Sequence, residues 1–274
     1  MAEDRQGPVP EADPDQLWQD ALAAGLVGRS KLPLNCELTP PMLGGEVTPG
    51  GRFFRRNHFP MPVLDPENWR LAVGGLVREP LSLDLTALRE LPAESVTVTM
   101  ECAGNGRTQF SPPVPGEPWG LGAVSTASWS GARLADVLDR AGILPGAREV
   151  VFRGADCGPL PETEAAGPVR FERSLPVRDA VRSGALLAYA MNDEPLPVAH
   201  GFPVRLIVPG WYAVAAVKWL TDVDVIDEPF LGFFQDTHYV YEWQRDGRAE
   251  REPVRLQRAR AMIVTPADGD EVHG

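Results

Sequence analysis

Cysteine is scarce in this chain, with three thiols, Cys36, Cys102 and Cys157, in 274 residues. So few exclude a disulfide framework, and no two stand in a CxxC pair, which excludes a cysteine-rich zinc site. Long apolar runs are missing as well. None approaches the roughly 20 residues that span a bilayer, although 43% of the residues are hydrophobic. No HExxH spacing marks a zinc hydrolase, and no GxGxxG follows a strand-like run as a dinucleotide fold requires. Positive charge is outnumbered: 26 Lys and Arg against 38 Asp and Glu leave a net charge of −12. That balance argues against nucleic acid and anionic membrane surfaces as partners. It leaves small anions open, because a few arginines gathered in a cleft reverse the field locally. The opening stretch, MAEDRQGPVPEADPDQ, is acidic and has neither the basic-then-apolar order of a secretory signal nor paired arginines. The expectation is a soluble, cytoplasmic protein.

What the chain does have is 28 prolines and 27 glycines spread along its length, so it changes direction often and has few long helices. Alternation and β-branched enrichment predict strands over 69–74, 95–100, 149–153, 203–208 and 215–226. Helices are expected over 15–26, 84–91, 133–141 and 176–183, and 31–51 reads as irregular coil. The order is mixed, with no βαβα repeat, so the fold class is α+β, built on several sheets. Three segments are expected: a loosely docked lead over 1–30, a main domain over 31–250, and a tail over 251–274.

Chemistry concentrates in three stretches. In MECAGNGR, over 100–107, a strand-like run ends at Cys102 and opens into glycines and an asparagine, followed by Arg107. Gly104 and Gly106 allow close backbone approach, Asn105 supports a tight turn, and a cation nearby favours the thiolate. Cys102 is thus either a nucleophile, with His58, His200 or His238 as base and His273 in the tail, or a metal ligand; spacing alone leaves both open. In RFFRRNHFPMP, over 52–62, arginines surround His58 while Phe53, Phe54 and Phe59 pull the segment inward. Planar guanidinium forks held there suit oxyanions. In the third, HGFPVRLIVPGWYAVAAVKWL, His200, Arg205 and Lys218 flank apolar runs. A structural imidazole and a snorkelling lysine are the plain alternatives there. Together these cations predict a deep anion site in an acidic protein.

These stretches, with GEPWGLGAVSTASWSG and AYAMNDEPLPVAHGFPVRLIVPG, resemble the sulfite oxidase family of molybdenum enzymes, from about residue 35 to residue 241. The resemblance implies a mixed multi-sheet molybdopterin-binding fold and one molybdenum held by a pyranopterin dithiolene, with Cys102 as protein ligand. It implies pterin contacts from Phe54, Arg55, Arg56, Asn57, His58, Asp156, His200, Arg205, Ala216, Val217 and Lys218. Arg56 and Arg107 would frame the substrate oxyanion, with Trp119 in that pocket and Tyr239 beside the metal; Tyr241 is the fallback for the last. The implied reaction is oxygen-atom transfer, sulfite to sulfate. Its two electrons pass singly to an external acceptor such as a cytochrome.

Three departures stand out. Nothing ahead of the main segment has the length of a haem domain, so no haem is expected. The motif often written CAGNRR reads CAGNGR here, with Gly106 in place of an arginine. The family's immunoglobulin-like domain is expected to be essentially absent beyond MIVTPADGDEVHG. The alternatives are a related molybdenum reductase of an S-oxide, N-oxide or nitrate, or a cofactor-binding protein without turnover.

Overall fold

Val98 and Met100 are buried while Thr97 and Thr99 face out, the alternation that makes residues 93–101 a half-buried strand. A computed structural model describes residues 10–160, 167–266 and 269–271. Its strands, in chain order, are β1 (Val27–Ser30), β2 (Asn35–Glu37), β3 (Leu71–Gly75), β4 (Leu81–Leu83), β5 (Ala93–Glu101), β6 (Val124–Arg133) and β7 (Glu149–Gly158). They continue as β8 (Val169–Pro176), β9 (Leu186–Met191), β10 (Glu194–Pro195), β11 (Arg205–Ile207), β12 (Leu220–Ile226), β13 (Val240–Arg245) and β14 (Arg248–Pro253). The helices are α1 (Pro14–Ala23), α2 (Leu85–Arg89), α3 (Leu134–Ala141) and α4 (Val177–Arg182).

While β1 pairs with β2 and β13 with β14, the other ten strands form two five-stranded sheets. One runs β10-β9-β6-β5, with β11 also paired to β9; the other runs β4-β3-β12-β7-β8. Every pairing is antiparallel except β12 with β3. This is the expected α+β, multi-sheet architecture. Among the described residues no immunoglobulin-like sandwich follows β14, and no helix is long and apolar enough to cross a membrane.

Two hydrophobic cores result. One gathers Leu71, Phe152, Leu206 and Val223 around the second sheet, and the other gathers Phe53, Met100, Trp129 and Trp219 around the first. The ends of several strands meet at the seam between them, and the site lies there.

Several elements depart from the sequence reading. The single strand expected over 215–226 is broken: residues 213–215 form a short 3-10 turn, Trp219 takes φ +47°, and only 220–226 are extended. The Trp219 indole explains the break, being fully buried and donating to the Val198 carbonyl at 2.9 Å. Strands β6, β8 and β9 were not expected. The segment over 31–51 is not all coil, since β2 pairs with β1. Within the lead, Asp13 caps α1 by accepting from the Asp15 amide at 2.8 Å, and Ala21 is fully buried. The boundary drawn at 250/251 falls inside β14, which pairs with β13 along its length. Residues 1–9 and His273 lie outside the described residues.

Candidate cofactor site

The β5–β6 ladder ends at Glu101 opposite Val124, so the next residue, Cys102, leaves the sheet as its neighbour strand begins. The Cys102 amide still donates to the Ala123 carbonyl at 2.9 Å. Asn105 then closes the turn: its amide donates to the Cys102 carbonyl at 2.9 Å, and its Oδ1 accepts from the Ala123 amide at 3.1 Å. Gly106 takes φ +82°, a left-handed conformation that glycine adopts without strain. The sulfur is therefore presented by a rigid strand and a tied turn.

It faces a partly enclosed cavity. The lining joins Cys102 to Phe54, Arg55, Arg56, Asn57, His58, Asp156, His200, Arg205, Ala216, Lys218 and Tyr239. Phe54 and Tyr239, 185 residues apart in the sequence, are thus brought into one wall. The segment over 53–59 is fastened by a bridge between Arg55 and Cys36 and by Asn57, whose amide donates to Asn35 Oδ1 at 2.8 Å. Asn57 Oδ1 in turn accepts from Lys218 Nζ, which also donates to the Arg56 carbonyl at 3.1 Å.

The cavity is a low-dielectric place full of cations. Arg205 donates to the carbonyls of His200 and Ala216 at 3.0 and 3.1 Å and lies 4.8 Å from the centre of the Trp129 ring. Burial pulls its guanidinium down to about 9. His200 shares a 3.1 Å hydrogen bond with the Gly50 carbonyl, and burial together with Arg205, Arg55 and Lys218 holds it neutral, well below its ordinary value. Burial likewise depresses Lys218, while burial raises the carboxyl of Asp156; each is drawn back by the other's charge. Asp156 sits where β7 shifts register against β8, an irregularity that turns its side chain inward. Its Oδ1 is buried without a hydrogen-bond partner, as are Nε of Arg55 and Nε of Arg205.

His58 packs in a cluster with Phe171 and Phe234, with ring centroids at 4.9 and 4.6 Å, and its Nε2 shares a 2.8 Å hydrogen bond with Tyr239 Oη. The imidazole thus orients the tyrosine as well as lining the cavity. Tyr239, and not Tyr241, reaches the cavity; Tyr241 packs under Arg258.

Three expected site residues are not in the lining. Trp119 is fully buried in the core behind the Cys102 turn. Val217 is also fully buried, its carbonyl accepting from the Leu206 amide at 2.8 Å. Arg107 folds back over Gly104 and Gly116 and donates to the Pro115 carbonyl at 2.5 Å. It still acts electrostatically: burial pushes the Cys102 thiol up, while Arg56, the Gly104 amide and Arg107 pull it down. Among the described residues no group of three His, Cys, Asp or Glu converges as metal ligands, and the thiol that this cavity offers a metal is that of Cys102.

Sequence reading missed Met100, Phe171 and Val214 in the lining, and Arg173 behind it. Arg173 is fully buried, donates to the carbonyls of Phe234 and Val254, and lies 6.0 Å from the Tyr239 ring centre. A signal was present, since Arg173 alternates with Phe171 and Leu175 on the inward phase of β8.

Residues 58–234 match the family model for the oxidoreductase molybdopterin binding domain. The chain belongs to this family. It is an oxidoreductase domain of the sulfite oxidase type, and molybdopterin is its cofactor. The mitochondrial sulfite oxidase of Mus musculus is 41% identical over 245 residues, covering 86% of this chain and 44% of that protein. The corresponding Drosophila melanogaster enzyme is 36% identical over 254 residues, covering 89% and 43%. The chain therefore spans less than half the length of these curated relatives. Among solved structures, the sulfane dehydrogenase SoxCD of Paracoccus pantotrophus shares the fold with a TM-score of 0.75 at 24% identity, over 97% of this chain and 64% of that one.

The molybdopterin family and the residues of this cavity agree. An unpartnered carboxylate oxygen and two unpartnered guanidinium nitrogens, all buried, match a ligand that carries both ring N–H donors and a phosphate.

Proposed function

We propose that this domain oxidises sulfite to sulfate and passes the electrons to an external one-electron carrier, such as a cytochrome. One observation carries the reading: the buried thiol of Cys102 shares a cation-lined cavity with Asp156, Arg55 and Arg205, each of which has a buried polar atom without a partner. In this proposal Cys102 ligates molybdenum, and Asp156, His200, Arg205 and Lys218 hold the pterin and its phosphate. Phe54, Arg55, Asn57, His58 and Ala216 complete that wall. The bound cofactor supplies the redox couple. Overall, sulfite and water become sulfate, two protons and two electrons.

The chain's own part is orientation and charge. Arg56 lines the cavity with Cys102, and its charge acts on both the Cys102 thiol and the Tyr239 hydroxyl, so it is placed to meet an oxyanion entering next to the sulfur. Tyr239, held by His58, offers a hydroxyl to the same oxyanion. Buried cations in a site with little water act more strongly on such an anion than they would in solution. Relatives named as sulfite oxidases support sulfite over other oxyanions.

Visible absorption tests the proposal. The oxidised protein should show a sulfur-to-molybdenum band that bleaches when sulfite is added without oxygen. Cys102→Ser should lose that band and all turnover. A band that persists through sulfite addition would overturn the substrate, and full activity in Cys102→Ser would overturn the ligand.

A further inference from the structure

Gly106 closes the Cys102 turn, and a Cβ built on it would lie 2.9 Å from Nη2 of Arg260. The space beside the glycine is filled by a guanidinium arriving from the tail. Arg260 Nη1 donates to Glu101 Oε1 at 2.6 Å and to the Asn105 carbonyl at 3.2 Å. Asn105 Nδ2 donates to the same carboxylate oxygen at 2.9 Å. Arg260 therefore grips both ends of the turn whose middle presents Cys102.

The tail that carries it is fastened at several points before it arrives. The Tyr212 amide donates to the Arg255 carbonyl at 2.9 Å, and the Gln257 amide donates to the Gly210 carbonyl at 2.9 Å. Gln257 Nε2 donates to the Thr99 carbonyl at 3.1 Å, so the tail lies along the outer edge of β5. The Glu101 side chain is only 10% exposed, whereas that of Arg260 is 36% exposed. Removing Arg260 leaves no hole in a core, but it strips a nearly buried carboxylate of its cation.

We propose that Arg260 is a positioning residue for the metal ligand, clamping the 101–106 turn in the volume that a side chain at position 106 would otherwise occupy. Its consequence for the metal rests on the reading of Cys102 as ligand; the clamp itself does not. Gly104 and Gly106 give the turn's backbone more freedom to lose on folding. The external ion pair adds to the hydrogen bonds through Asn105 and Gly106 that tie it.

Amide hydrogen exchange over 102–107, measured without cofactor, tests the clamp, and the sulfur-to-molybdenum band of the loaded protein tests its consequence. In Arg260→Ala the turn amides should exchange about tenfold faster, the loss of one charged hydrogen-bonded partner, while β12 amides are unchanged. The loaded variant should hold less molybdenum and show a weakened or shifted band. Arg260→Lys, which keeps the charge, should recover most of both effects. Glu101→Gln, which removes the anion of the pair, should resemble Arg260→Ala, and the double variant should be no worse than either, because both changes act on one ion pair. Unchanged exchange in Arg260→Ala, no recovery with lysine, or additive effects in the double variant would each overturn the clamp. Faster exchange in Arg260→Ala, with no molybdenum band in the parent protein, would keep the clamp and overturn the ligand reading.

Discussion

Arg56 and Arg107 are equivalent by resemblance, and the structure separates them. Arg56 lines the cavity, whereas Arg107 is turned away and spends a donor on the Pro115 carbonyl. Arg56→Gln should raise the KM for sulfite by about 10–100-fold, the worth of a charge-assisted hydrogen bond to an anion. Arg107→Gln should change KM much less, acting only through its distant pull on Cys102. Steady-state kinetics on the two variants checks this, and equal effects would place both guanidiniums on the substrate. Cys102 and the cations of the 52–62 stretch were readable from residue type and neighbours. Arg173 and Arg260 were not, because their partners lie far away in the chain: Phe234 and Val254 for the first, Glu101 and Asn105 for the second.

Among the elements, β6 is the central strand of its sheet between β5 and β9, and its sequence, VSTASWSGAR, reads poorly as a strand. Small residues are there because β9 runs close: a Cβ on Gly131 would meet the Leu187 carbonyl oxygen at 2.2 Å. Low intrinsic β-propensity is overridden by packing. Gly131→Ala should push β9 away and lower stability by about 1–3 kcal/mol, the usual cost of overpacking, as measured by urea unfolding. The strands over 95–100 and 149–153 were legible because one face of each is wet or their β-branched content is high. The run in β9, LLAYAM, has no alternation, since its Leu186, Leu187 and Ala188 are buried whichever way they point. The helix expected over 133–141 was clear from its apolar spacing, and Gly142 at φ +70° ends it.

For the molecule as a whole, the buried histidines set an acid limit. Burial holds His58 and His200 well below the ordinary value of 6.5, so both are neutral when folded and take up protons when unfolded below that pH. The unfolded chain then binds more protons, and stability falls with pH by up to about 1.4 kcal/mol per pH unit for each ring. Asp156, pushed up, and Lys218, pushed down, act on this dependence in opposite senses. Urea midpoints of the cofactor-free protein should drop steeply from pH 6.5 towards about pH 5, and His200→Gln should remove about half of that slope.

The seam between the two cores has a further consequence. The cavity wall draws on both, Phe171 and Val214 from one and Met100 and Ala199 from the other, so a tightly held occupant ties the two halves together. Binding only the folded form, it lowers the population of opened molecules by mass action. A chain that has not met its cofactor keeps cations at this seam that disfavour one another's charge. Such chains are cut first by any protease that samples transiently opened molecules, which culls empty copies and spares loaded ones.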